Sequence, residues 1–155
     1  MTNGRKGALA YLDANVFIDF VEGAPVLALP ARELFAALAA HDGIFVTSEL
    51  VLAEVLAGAR ITPIERRLYM DLIVWNPLVL LAPVSREILI DASDLRRQAG
   101  HKLADAIHIA TALRANCKFV VSRDRDMRKL PSALMALLDT GADAAKSLIE
   151  AANGR

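Results

Sequence analysis

The sequence has little of three features that would place it in a specialised class of protein: cysteine, net charge and long apolar runs. Its single cysteine, Cys117, excludes a disulfide framework within the chain and agrees with a reducing compartment, so we expect a cytoplasmic protein. The 18 basic and 18 acidic residues cancel. Any nucleic-acid binding must therefore come from a local basic patch and not from the overall charge.

Hydrophobic residues nevertheless make up 55% of the chain. No apolar run approaches the roughly 18 uninterrupted residues that a membrane-spanning helix needs, and the richest run, 51–59, is interrupted by Glu54. Residues 1–7 are polar and lead into an apolar stretch that is too short for a signal peptide. We therefore expect no membrane segment, and we attribute the apolar excess to elements buried on both faces, as parallel strands are.

Short apolar segments of strand length alternate with helical segments along the chain. The predicted strands are 9–12, 44–47, 78–81 and 118–121, with a fifth strand or a helical turn at 134–138. This alternation predicts an α/β fold in which helices cover both faces of a parallel sheet of four or five strands. With 155 residues and no repeat or linker, the chain is expected to form one domain, its core at about 9–138 and a helical extension at about 140–152. Pro30 is expected to start a helix, because proline favours the first helical position.

Two acidic residues follow predicted strands. Asp13 comes directly after the first strand, with Asn15 two residues further on, and Asp124 follows the fourth strand by three residues, with Asp126 as a possible substitute. Groups at the carboxyl ends of parallel strands line the crevice where ligands bind. Two alternatives stay open here: Asp13 or Asn15 caps a helix, and the segment around Asp124 is a solvated charged loop.

Two more acidic residues lie in helical segments that are otherwise nearly all apolar. Glu54 is the lone carboxylate of its helix, so it is either exposed by chance or placed at a cleft. Asp105 falls in the first turns of its helix, where a carboxylate suits the positive end of the dipole. His101 and His108 share the face of Asp105. Because the rest of a zinc ligand set is missing, we favour hydrogen-bonded or solvent-facing histidines.

These four acids have a common explanation. Carboxylates that converge without a cation repel one another and raise one another's pKa values. A bound divalent ion removes that conflict, and an all-oxygen ligand set suits Mg²⁺ or Mn²⁺ with waters completing the coordination. Such an ion orients a phosphate, activates a water and stabilises the departing oxyanion, which is the chemistry of phosphodiester hydrolysis.

The surroundings of the four acids resemble those of a known family. In chain order the motifs are Leu12-Asp13-Ala14-Asn15, Ala53-Glu54-Val55, Ala104-Asp105-Ala106-Ile107-His108-Ile109-Ala110-Thr111-Ala112 and Ser122-Arg123-Asp124. In this order they resemble the PIN domain. The small stand-alone form is similar to the VapC-type toxin of a toxin–antitoxin pair, and the resemblance covers about residues 9–131.

For residues 9–131 the resemblance implies a sheet in the strand order 3-2-1-4-5 and a Mg²⁺- or Mn²⁺-dependent endoribonuclease. It also implies a homodimer and a neutralising antitoxin that covers the site. The residues that it assigns to catalysis and metal binding are Asp13, Glu54, Asp105 and Asp124, with Asn15, Ser122 and Asp126 in supporting positions. Ser122 stands where the family usually has threonine, which keeps the hydroxyl.

Other interpretations stay open at this point. Arg123 and Arg125, with Arg128 and Lys129, lie beside the fourth acid and either contact the RNA backbone or form an ordinary charged surface. A phosphatase that forms an aspartyl-phosphate on Asp13 would need a nearby general acid, and position 15 holds an amide instead. A catalytically inactive PIN-like binding module is the remaining alternative.

Overall fold

A computed structural model of the chain describes residues 10–40, 44–131, 136–138 and 142–153. Its centre is a five-stranded sheet in which every pairing is parallel and the spatial order is β3-β2-β1-β4-β5. The strands are β1 (Ala10–Leu12), β2 (Phe45–Ser48), β3 (Val79–Ala82), β4 (Phe119–Val121) and β5 (Ala136–Leu138). The predicted α/β fold and its strand order are confirmed, and the segment that allowed a strand or a helical turn contains a strand.

Helices connect these strands, and some of them begin at a side-chain cap. They are α1 (Ala14–Glu22), α2 (Pro25–Ala40), α3 (Leu50–Leu56), α4 (Pro63–Ile73), α5 (Arg86–Ala99), α6 (Leu103–Arg114) and α7 (Ala142–Asn153), and a 3-10 turn covers Arg125–Arg128. Thr62 and Glu65 form a capping box at the start of α4, and the Ser85 side chain caps α5. Gly100 ends α5 in the left-handed conformation, at a φ of 71°.

Alternating strand residues divide the core into two faces. Leu12 points towards the face covered by α1, α2, α3, α4 and α7, whereas its neighbour Tyr11 points towards α6. On that second face α6 packs against the sheet, and α5 packs against α6. The result is the predicted three-layer α/β/α arrangement. Ala144 and Leu148 of α7 are buried in the first of these faces, so the C-terminal helix is part of the core.

The segment from α1 to α2 departs from the predicted elements. The prediction that Pro30 starts a helix is wrong, because α2 begins at Pro25 and continues through Pro30. A proline inside a helix leaves the carbonyl of the residue four positions earlier without its partner. Here that residue is Val26, which is 78% exposed, so water can hydrogen-bond to the freed carbonyl. Within the described ranges no single helix is long and apolar enough to span a membrane; α1 and α2 pass that test only as a pair, bent by 115°.

Phe45 offers a test of this core. Its ring is fully buried and meets the ring of Phe35 with centroids 5.0 Å apart. We expect Phe45→Ala to lower the free energy of unfolding by about 3–5 kcal/mol, because the lost burial adds to the cost of a cavity. Urea denaturation measures this, with Ile64→Ala as the control, since Ile64 is 75% exposed on α4 and should change stability by no more than about 0.5 kcal/mol. Equal losses in the two variants would contradict this packing.

Candidate active site

The site begins where two neighbouring strands end. Leu12 of β1 pairs with Val121 of β4 in parallel, so Asp13 and Ser122 leave the sheet side by side. The backbone N–H of Asp13 donates to the Val121 carbonyl at 3.1 Å. The hydroxyl of Ser122 donates to Oδ2 of Asp13 at 2.7 Å, and both residues are buried. The first predicted acid is therefore held at the carboxyl edge of the sheet, as expected for this topology.

Asn15 joins the two strand ends. Its amide nitrogen donates to Oδ2 of Asp13 at 3.2 Å and to the Ser122 hydroxyl at 3.0 Å, and its oxygen accepts the backbone N–H of Arg123 at 3.2 Å. Asp13 also caps α1, because its Oδ1 accepts the N–H of Ala14 at 2.8 Å. The capping and the functional interpretations of Asp13 are thus compatible: one oxygen caps the helix while both remain at the crevice.

Asp124 is attached to the same centre. Its backbone N–H donates to the Ser122 hydroxyl at 3.0 Å, while its own Oδ1 accepts the N–H of Asp126 at 2.9 Å and caps the 3-10 turn. Asp124 is half-buried. Asp126 is exposed, and its carboxylate lies 3.5 Å from the ammonium of Lys102. The supporting role of Asp126 stays a prediction, and the structure places it at the rim.

His108 brings the helix-borne acid Glu54 to this centre. Its Nε2 lies 2.7 Å from Oε1 of Glu54 and 3.5 Å from Oδ1 of Asp13, and its Nδ1 is hydrogen-bonded to the hydroxyl of Tyr11. The His108 side chain is 1% exposed, whereas that of Glu54 is 33% exposed. His108 is therefore hydrogen-bonded, as one of the two interpretations of the histidines predicted. Its imidazole holds one side of the partly exposed Glu54 carboxylate, and the placement of Glu54 at a cleft stays a prediction.

The electrostatics show an excess of negative charge at this edge. Burial raises the pKa of Asp105, and the charges of Asp124 and Asp13 raise it further. Burial by itself lowers the pKa of His108, but its hydrogen bond to Glu54 and the charge of Asp13 outweigh that effect, so the pKa of His108 is raised. The fold therefore brings Asp13 and Asp124 close enough to Asp105 for their charges to act on its carboxylate, and the effects of His108 and Lys102 do not outweigh them.

The donor set limits which ion would fit. Among the described residues, no three side chains of His, Cys, Asp or Glu are grouped closely enough to hold a metal ion by themselves. Zinc, which needs three or four protein ligands, is a poor match. Mg²⁺ keeps several waters and is held by one or two carboxylates together with substrate phosphates. A carboxylate such as Asp105, whose pKa is raised by burial and by the charges of Asp124 and Asp13, fits that kind of site.

Arg123 has a role that the sequence did not indicate. Its guanidinium donates to both carboxylate oxygens of Asp19, at 2.6 and 2.7 Å, and Asp19 is buried. The ion pair fastens the loop after β4 to α1, beside the hydrogen bond from Arg123 to Asn15. Asp19 was missed in the sequence analysis, although it lies four residues after Asn15 in a largely apolar helix and so shares its face. An RNA contact by Arg123 stays a prediction, and its guanidinium is already engaged.

Comparison with known proteins decides the family. The model of the PIN domain family matches residues 10–133. The chain belongs to the PIN domain family. The predicted resemblance is thereby confirmed, and the match includes all four acids. No curated protein matches this chain.

Several solved structures resemble this PIN domain. A toxin–antitoxin complex from Klebsiella pneumoniae contains a chain that is 26% identical, with a TM-score of 0.64 over 85% of this chain and 98% of that one. The sarcin-ricin loop cleaving toxin VapC20 of Mycobacterium tuberculosis is 17% identical, with a TM-score of 0.62 over 76% and 92%. VapBC2 of Rickettsia felis, bound to a promoter DNA fragment, is 17% identical, with a TM-score of 0.63 over 84% and 98%. At 17% identity the last two show a shared fold.

Substituting Asp105 tests the excess of negative charge. We expect Asp105→Asn to raise the melting temperature of the metal-free protein, because it removes a buried carboxylate whose pKa is raised. A raised carboxyl pKa destabilises the folded state as pH rises, so the gain should be absent below the ordinary carboxyl pKa of 3.8 and complete above the raised pKa of Asp105. Melting curves of both proteins, recorded at increasing pH from about the ordinary carboxyl pKa, measure it.

The same variant tests metal binding. Adding Mn²⁺ should raise the melting temperature of the wild type. A Mn²⁺ concentration of 100 times the dissociation constant corresponds to about 2.7 kcal/mol of added stability. The melting temperature of Asp105→Asn should rise by less. Asp71→Asn is the matched control, because Asp71 forms an exposed ion pair with Arg67 on α4. An unchanged Mn²⁺ effect in Asp105→Asn would remove Asp105 from the metal site.

Arg123→Gln tests the structural role of the ion pair. The variant leaves the Asp19 carboxylate buried without its guanidinium, and removing one partner of a buried pair costs about 3–5 kcal/mol. Because the Arg123 side chain is 38% exposed, we expect the free energy of unfolding to fall by only about 1–2 kcal/mol, the value for a charged hydrogen bond. Urea denaturation of Arg123→Gln beside Arg114→Gln, which breaks an exposed pair with Asp91, checks this. Equal small losses would contradict an anchoring role.

Proposed function

We propose that this PIN-domain protein is a metal-dependent endoribonuclease that hydrolyses RNA phosphodiester bonds and acts as the toxin of a type II toxin–antitoxin pair. The observation that carries the proposal is the convergence of acids from separate elements at one edge of the sheet. Asp13 and Asp124 follow strands, and Asp105 and Glu54 come from helices, yet the four are linked through Ser122, His108 and mutual repulsion.

The proposed cofactor is Mg²⁺ or Mn²⁺. Such an ion, when bound, supplies an activated water and stabilises charge on the phosphate oxygens. Asp13, Asp105 and Asp124 would hold it, because they are the acids whose charges act on one another. Asn15 and Ser122 restrict how the Asp13 carboxylate turns, since both donate to Oδ2. Orienting groups of this kind matter for metal sites nearly as much as the ligands do.

Glu54 has a different place in the proposal. Its carboxylate is one-third exposed and is fixed on one side by Nε2 of His108 at 2.7 Å. It is therefore both oriented and in contact with solvent, as a group that holds and deprotonates an attacking water must be. Tyr11 steadies the far side of the imidazole, because its hydroxyl is hydrogen-bonded to Nδ1. Burial, with the charge of Asp13, raises the pKa of Tyr11, so this hydroxyl stays neutral.

The biological setting follows from the family and from the Klebsiella structure, which is a toxin–antitoxin complex with a chain 26% identical to this one. We propose that a cognate antitoxin covers the acidic edge, that the protein works as a homodimer and that it acts in the cytoplasm. Large apolar side chains are available for such contacts, since Val26 of α2, Ile64 of α4 and the nearby Trp75 are exposed.

Cleavage of a mixed RNA panel with and without chelator tests the proposal. The wild type should cut in Mg²⁺ or Mn²⁺ and stop when the ion is chelated. Asp13→Asn should cut at least about 100-fold more slowly, the loss expected when a group that stabilises transition-state charge is removed. Asp71→Asn, which changes an exposed acid on α4, should cut like the wild type.

Two outcomes would contradict the nuclease. Cutting that survives chelator and is equal in wild type and Asp13→Asn would come from a contaminant. If folded, antitoxin-free wild type cut none of the RNAs, an inactive PIN-like binding module would be favoured instead.

A further inference from the structure

A cavity of about 430 Å³ opens beside the acidic edge, between the start of α6 and the 3-10 turn. Its charged and polar wall consists of His101, Lys102, Asp105, Arg125, Asp126 and Lys129. Asp105 belongs both to this wall and to the acid cluster, so the cavity is continuous with the candidate active site. The sequence patterns did not indicate it, because the wall combines two segments that lie some 20 residues apart, a separation that helix α6 and strand β4 bridge.

The cations of this wall are weakly engaged. Arg125 makes no hydrogen bond or ion pair within the part of the chain that the structure describes. Lys102 is paired with Asp126 at 3.5 Å, but their side chains are 80% and 66% exposed, and such surface pairs contribute little. Lys129 donates to the carbonyl of Ala99, which carries no charge. The positive charges are therefore available to an anion.

His101 supplies a second, independent observation. The residue is 6% exposed, and its Nε2 is the one buried side-chain nitrogen or oxygen without a hydrogen-bond partner among the described residues. Leaving a buried polar atom unpaired costs about 1–3 kcal/mol. A ligand oxygen in the cavity that His101 lines would provide the missing partner.

The start of α6 adds to the same field. Lys102 occupies the N-cap position without a side-chain cap, so the first N–H groups of this 12-residue helix lack a side-chain acceptor from the cap residue. Helix starts of this kind favour anions and phosphates in particular. One kind of ligand would satisfy the helix start, the basic side chains and the unpartnered imidazole together: an anion that accepts several hydrogen bonds.

We propose that this cavity binds the backbone phosphate of a nucleotide adjacent to the one that is cut, in single-stranded RNA. The proposal rests on the proposed nuclease function and specifies where the substrate strand continues. A phosphate is favoured over a carboxylate because the cavity shares Asp105 with a site suited to a phosphodiester, and a strand bound there continues into the cavity. Phosphate contacts of this kind fix the position of a strand without reading its sequence.

The pair between Lys102 and Asp126 makes the proposal specific. An incoming phosphate competes with the Asp126 carboxylate for the Lys102 ammonium. Removing that carboxylate should therefore strengthen RNA binding, although a negative charge elsewhere on the surface should have little effect. The proposal thus predicts that substituting Lys102 weakens RNA binding, whereas substituting its neighbour Asp126 strengthens it.

Fluorescence anisotropy with a labelled, mixed-sequence single-stranded RNA tests this in the Asp13→Asn background with Mg²⁺, where the strand stays intact. Lys102→Gln, Arg125→Gln and Lys129→Gln should each weaken binding to all sequences alike. Because all three cations are proposed to contact one phosphate, the triple variant should reduce the slope of log affinity against log salt by about 0.7, the value for one phosphate contact on a single strand. Asp126→Asn should tighten binding.

Matched controls lie away from the cavity. Lys118 is exposed directly before β4, at the opposite edge of the sheet, and Arg66 is exposed on α4. Lys118→Gln and Arg66→Gln should leave affinity and slope unchanged. His101→Phe keeps a ring of similar size but removes the nitrogens, so it should weaken binding without changing the slope. If His101→Phe bound RNA as tightly as the parent protein does, the imidazole of His101 would be excluded from the subsite.

Three results would overturn the subsite. The first is a triple variant of Lys102, Arg125 and Lys129 that retains the affinity and slope of its parent. The second is a parent protein that does not bind RNA. The third is displacement of the RNA by polyglutamate of matched charge through the same three residues, which would make the cavity a carboxylate site for a protein partner. Cleavage assays separate the two proposals. Cutting with an unchanged KM in the triple variant overturns the subsite alone, whereas cavity-dependent binding without any cutting by the wild type overturns the nuclease alone.

Discussion

A buried carboxylate at the end of a parallel strand is the constraint on which the rest of this site depends. Asp13 leaves β1 where the chain must turn into α1, and its two oxygens are held by Ala14, Asn15 and Ser122. A buried carboxylate without such donors would be too costly to keep ionised. The hydrogen bonds therefore have two effects: they stabilise the turn, and they hold the carboxylate of Asp13 in a fixed orientation at the crevice.

A histidine and an arginine contact other acids near that carboxylate. His108 lies between Glu54 and Asp13, and Arg123 pairs with Asp19 one helical turn beyond Asn15. Their effects differ, because the histidine links the acids of the site, whereas the arginine fastens the loop that carries Asp124. Burial and the charges of Asp124 and Asp13 raise the pKa of Asp105, and the opposing effects of His108 and Lys102 do not outweigh them. The unbalanced part of the charge is thus concentrated where an ion and a phosphate are proposed to bind.

The parts that could be predicted from sequence are those with a local signal. An apolar run followed by an acid marks a strand end, so Asp13 and Asp124 can be predicted to lie at the carboxyl edge of the sheet. Glu54 and Asp105 can be singled out because they are isolated acids in apolar helices. Contacts between distant segments carry no such mark. Tyr11 and His108 are 97 positions apart, and Asp19 and Arg123 are 104 apart. The continuation of α2 through Pro30 could not be predicted for another reason. A proline is tolerated inside a helix when water can reach the carbonyl that it leaves unpaired, and that exposure depends on the tertiary structure.

The bond between Ser122 and Asp13 spans 109 positions of the chain. Contacts of such long range form late in folding, because the entropy of closing the loop must be overcome first. During synthesis on the ribosome, the acidic edge is therefore incomplete until β4 and the loop after it have emerged and docked beside β1. A nascent chain of this protein therefore carries the four acids one by one, before the candidate site that they line has been assembled.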